Sequence, residues 1–94
     1  MQDEDFEWDD NKAKQNFATH GVSFEAARLA FEDPFAIVRG DHRQDYGEDR
    51  FILLGIVQER LLAVAYAMRG ERLRIISARI AEPQERRRYH EENS

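Results

Sequence analysis

The stretch Leu73-Arg74-Ile75-Ile76-Ser77-Ala78-Arg79-Ile80 decides the fold. Counted by twos, Leu73, Ile75, Ser77 and Arg79 point one way and Arg74, Ile76, Ala78 and Ile80 the other. Both sets are apolar near the middle, the mark of a strand covered on both sides. Arginines punctuate each set. A guanidinium keeps its charge, so beside a buried strand it is paired, snorkelling, or turned toward an anion. On residues alone, a structural ion pair competes with a rigid platform that presents arginine to phosphate.

Strands precede this one at short spacing. Leu61 to Met68 alternates Leu62, Val64, Tyr66 and Met68 against small alanines, a face on which a helix can lie close. Gly70-Glu71 is a tight turn into residues 72–80. Before it, Arg50 to Val57 reads as a strand with Gly55 as a bulge or close-packing point, and Gln58-Glu59 as the turn. Phe35 to Val38 reads as a further strand, and residues 40–49 as a polar loop.

Toward the N-terminus, Ser23 caps a helix with Phe24, Ala27 and Phe31 on its apolar side, ended by Asp33-Pro34. An earlier helix starts at Asp9 or Asp10 and stops at Gly21, with Ala13 and Phe17 expected inside and Lys12, Asn16 and His20 on a polar stripe. Phe6-Glu7-Trp8 is a short strand, and residues 1–5 read as a loose end. Pro83 opens a last helix to about Glu92. The order β-α-α-β-β-β-β-α predicts a single α+β domain over residues 1–94: an antiparallel sheet of four to five strands with helices on one face.

Apolar residues make up 41% and aromatic residues 11% of the 94, as in a folded globular chain. Without cysteine there is neither a disulfide framework nor a thiolate metal site. The acidic start is unlike a signal peptide, and the longest apolar run is too short to span a bilayer, so a cytoplasmic protein without membrane contact is expected. The net charge of −5 argues against non-specific nucleic-acid binding, and no recognition-helix motif suggests direct reading of DNA. Charge is unevenly spread. Residues 1–10 carry six acids and no base, whereas residues 69–88 carry seven arginines against three glutamates.

No metal-ligand spacing, phosphate loop or nucleophile elbow is present, and neither a metal nor another cofactor is expected. The candidate site is distributed. Glu48 and Arg50 stand two apart at a strand mouth, Arg69 ends the next strand, and Arg74 and Arg79 lie on the last. Lys12 and His20 come from the first helix. A metal-free ribonuclease needs a base for the ribose 2′-OH, an acid for the leaving 5′-oxygen and cations for the developing phosphorane. Glu or His supplies the first two, Arg or Lys the third. The plainer alternatives are a helix-end histidine, a surface Glu48–Arg50 ion pair and a solvated Arg86-Arg87-Arg88 run.

Read together, Phe6-Glu7-Trp8-Asp9, Lys12-Ala13 with Asn16, His20-Gly21-Val22-Ser23-Phe24-Glu25 with Ala27, Phe31-Glu32-Asp33-Pro34, Glu48-Asp49-Arg50-Phe51 with Gly55, Arg69-Gly70, Arg74-Ile75-Ile76-Ser77-Ala78-Arg79, and Glu85-Arg86 with Tyr89 resemble the BrnT family of bacterial toxins. The resemblance implies a RelE-like fold, mRNA cleavage that arrests growth, and neutralisation by a BrnA-like ribbon-helix-helix antitoxin. It also implies a 2:2 heterotetramer that meets operator DNA only through the antitoxin. Arg50, Arg69 and Arg79 fall on the family's motif positions, which favours their role at phosphate. Two departures stand out: Thr19 where the family usually has a basic residue, and Gln58-Glu59 where it usually has a glycine. The rival reading is a non-catalytic co-repressor whose arginines dock a partner helix.

Overall fold

A computed structural model describes residues 1–42 and 47–94. Its elements are β1 (Phe6–Glu7), α1 (Asp10–His20), α2 (Phe24–Ala30), β2 (Ile37–Gly40), β3 (Arg50–Val57), β4 (Arg60–Arg69), β5 (Arg72–Ile80) and α3 (Pro83–Glu92). The five strands form a single sheet in the order β1-β5-β4-β3-β2. Four run as the expected antiparallel meander, whereas β1 joins β5 in parallel, through Phe6 opposite Leu73 and Glu7 opposite Arg74. β2 begins at Ile37 rather than Phe35, because Asp33 closes a turn onto the Ala36 amide and accepts from the Phe35 amide. Of the polar loop expected over 40–49, residues 43–46 lie outside the described residues.

Helices cover both faces, not one. Leu62, Val64 and Tyr66 of β4 pack with Phe24, Ala27 and Ala30 of α2 and with Trp8 and Val22. The alternate residues Leu61, Ala63 and Ala65 pack with Ala81 and with Tyr89 of α3. On this side the small Ala63 and Ala65 leave room for the large Tyr89 ring of α3. Gly55 does the same for the opposite helix: a Cβ there would collide with the Ala30 carbonyl oxygen.

Caps explain the helix boundaries. The Asp9 carboxylate accepts from the Asn11 and Lys12 amides, and the Ser23 hydroxyl from the Ala26 amide. Gly21 ends α1 in the left-handed region at φ 68°. At α3, Glu82 and Glu85 form a capping box around Pro83.

A bulge corrects the count by twos along β5. Ala65 faces Ser77 but Tyr66 faces Ile75, so Ile76 is the extra residue. Leu73 and Ile75 therefore share the α2 side with Ala78, while Arg74, Ser77 and Arg79 share the other. Two arginines expected on opposite faces stand on the same one.

The expected inside of α1 also changes. Phe17 is 57% exposed and Asn16 is buried. α1 lies along the edge of β5, where the Asn16 amide donates to the carbonyls of Ala78 (2.8 Å) and Val22 (2.9 Å) and accepts from the Ala78 amide (3.1 Å). Beyond the short β1, a side chain completes the ladder. Residues 1–5 are tied down as well. Gln2 bridges to Glu7, Met1 and Trp8 exchange hydrogen bonds, and Asp3 pairs with Arg28.

Candidate functional site

Strand register gathers arginine on the side of the sheet that α3 covers only in part. Arg50 is opposite Ala67, which is opposite Arg74, which is opposite Glu7. Across the next step, Arg39 is opposite Ile52, Ile52 opposite Ala65, and Ala65 opposite Ser77. Then Leu54, Ala63 and Arg79 align. The result is a floor of Ala65, Ala67 and Ser77 bordered by guanidinium groups.

Three of the expected site residues meet at one end of this floor. Glu48 lies 3.7 Å from the Arg50 Nε and 3.4 Å from the Arg69 Nε. Glu48 and Arg50 are each about a quarter exposed and Arg69 is half exposed. Both separations exceed ordinary hydrogen-bond length, so Glu48 meets the two guanidinium groups as an ion pair.

The other two strand arginines are held more tightly. Arg74 donates to Glu7 at 2.7 Å, across the parallel β1–β5 pair. Arg79 makes a two-pronged contact with Glu85 at 2.6 and 3.2 Å. Burial works to raise the Glu85 carboxyl, but the Arg79 hydrogen bonds, the Glu82 amide and the charges of Arg79 and Arg39 outweigh it and leave the group below its ordinary value. Glu85 is thus an ionised carboxylate under the sheet face, and Arg79 stands on it rather than beside Glu48.

Lys12 and His20 lie elsewhere. With Gln15, Asn16, Thr19 and Ile76 they line a hollow between α1 and the β5 bulge. Ile76 also packs against the core under α3, so the bulge borders both the hollow and the arginine-bearing side. The hollow's lining includes neither Glu48 nor Arg50. Sequence reasoning passed over Arg39, Glu7 and Glu85. Arg39 was detectable by its two-residue spacing from Ile37, whereas Glu85 required knowing that α3 crosses this side.

The domain thus carries an arginine-bordered sheet side with one carboxylate, Glu48, between two of the cations. Residues 8–85 match the family described as "Ribonuclease toxin, BrnT, of type II toxin-antitoxin system". The chain belongs to that family, a toxin class that works against an antitoxin partner. No curated protein sequence matches the chain. Among the described residues no helix is long and apolar enough to cross a membrane.

Proposed function

We propose that the chain is an endoribonuclease that cleaves mRNA by attack of the ribose 2′-OH, without a metal, and is silenced by a ribbon-helix-helix antitoxin. The observation that carries the reading is Glu48 set between Arg50 and the half-exposed Arg69. A phosphodiester at the two guanidiniums brings its neighbouring 2′-OH to the carboxylate. Glu48 takes that proton, the 2′-oxygen bonds to phosphorus, and the 5′-oxygen leaves with a proton from an acid. The cations stabilise the charge that gathers on the phosphorane oxygens. His20 and Lys12 line the separate edge hollow, away from Glu48 and Arg50, so neither stands at this phosphate and the acid comes from another group. Arg74 and Arg79 extend the positive border along the strand.

The test is incubation of the purified chain, freed of partner, with RNA in the presence of a chelator. Ends bearing 2′,3′-cyclic phosphate, lost in Glu48→Gln and Arg50→Gln, are the expected result. Intact RNA with and without ribosomes, from folded protein that still binds its antitoxin, would instead assign the arginines to partner docking.

A further inference from the structure

Arg39 is a cation on this side of the sheet that the cleavage chemistry leaves unused. It sits on β2 opposite Ile52, which places its backbone diagonally from that of Arg50, roughly 7–8 Å away in an antiparallel pair, with its guanidinium turned toward Glu85 and that of Arg50 toward Glu48. Its side chain is about one third exposed. Its contact with Glu85 is 3.7 Å, beyond hydrogen-bond range. Glu85 does not depend on it, because the same carboxylate already accepts two hydrogen bonds from Arg79 and another from the Glu82 amide at 2.9 Å. Glu85 therefore orients Arg39 by charge while leaving it able to donate elsewhere.

We propose that Arg39 binds a second backbone phosphate of single-stranded RNA, one nucleotide along from the phosphate held at Arg50 and Arg69. The proposal rests on the ribonuclease reading for its register. Arg50 and Arg39 stand on the adjacent strands β3 and β2, a step on the scale of one nucleotide of an extended strand, within reach of two long side chains. Arg79, fixed on Glu85, supports this end of the track. The substrate class is an extended single strand, recognised by its backbone rather than by its bases.

The test is a cycle between protein and ligand. A short 2′-O-methyl RNA, which lacks the attacking hydroxyl, is compared with versions carrying a neutral methylphosphonate at single positions. Binding is measured for the native chain, Arg39→Gln and, as a control at the far turn, Arg60→Gln. We expect Arg39→Gln to weaken binding about tenfold, the scale of one charge-assisted hydrogen bond. The salt slope should fall by roughly 0.7 for the lost phosphate contact. One methylphosphonate position should cost the native chain a similar factor and cost Arg39→Gln little further. Unchanged binding in Arg39→Gln, a methylphosphonate penalty that persists in it, or no binding by the native chain would overturn the proposal. Failure of the ribonuclease reading is seen separately, as a native chain that leaves the matching 2′-hydroxyl RNA intact.

Discussion

Asn16 shows how much one side chain carries here. Its amide satisfies three backbone groups at the β5 edge and in the α1–α2 joint. Replacing it by Ala strands buried donors and acceptors, at about 1–3 kcal/mol for each group left unpaired. With three groups stranded, Asn16→Ala should lower stability by about 3 kcal/mol or more. Urea unfolding will show this as a lower midpoint with an unchanged slope. Glu48→Gln belongs to the opposite class. Glu48 is partly exposed and held by long contacts, so its loss should leave stability within about 0.5 kcal/mol. Cleavage of RNA should fall by roughly 10²–10³, within the range for a lost general base. The sequence made Glu48 visible by its two-residue spacing from Arg50. It hid the role of Asn16, because a polar residue on a helical stripe reads as solvated until the strand edge beneath it is known.

The β3–β4 hairpin carries a local conflict. Gln58 and Glu59 both have positive φ, 50° and 69°, the backbone of a two-residue turn that favours Asn-Gly. A side chain in that region costs roughly 1–2 kcal/mol. The double variant Gln58→Asn with Glu59→Gly should gain about 1 kcal/mol. That gain raises the melting temperature by roughly 4–8 °C for a domain of this size, as thermal denaturation will record. Gly55→Ala should do the reverse, because the Ala30 carbonyl blocks the added methyl. Overpacking of this kind costs about 1–3 kcal/mol. Most elements were legible because their signals are local: the Ser23 cap, the Gly21 stop, Pro83 at a helix start and the glycine turn after Arg69. The bulge at Ile76 was not, since nothing in an apolar Ile-Ile pair marks which residue the partner strand will skip. That one residue decided which arginines share a side.

At the scale of the molecule, two of the polar contacts that fasten α3 to the rest, Tyr89–Asp33 and Glu85–Arg79, have opposite pH sense. Tyr89 donates to Asp33 at 2.6 Å. Burial, and then that hydrogen bond, push the Tyr89 hydroxyl from 10.0 to about 12. A raised folded value means the contribution is whole below pH 10 and is lost as pH climbs toward 12. Glu85 and Asp33 are both held below their ordinary values, so their contribution is present above the usual carboxylate range and fades as pH falls beneath it. Stability measured against pH should form a plateau between these limits. Tyr89→Phe should remove the Tyr89 share of the alkaline decline, leaving that of Tyr66, whose hydroxyl burial also raises. The α+β class followed from element order. That helices lie on both sides did not, because the sequence shows which residues of β4 alternate without showing which helix each set will meet.

The closed edge at β5 has a consequence for assembly. β1 and the Asn16 amide occupy one side of that strand, and Gln2 folds back over β1. The sheet's other margin is β2, with no strand beyond it among the described residues. A sheet that can grow in one direction only terminates after a single pairing: two copies can join margin to margin, but a third has nowhere to add. Among the described residues β2 is thus the margin to which a donated strand or a second copy can pair.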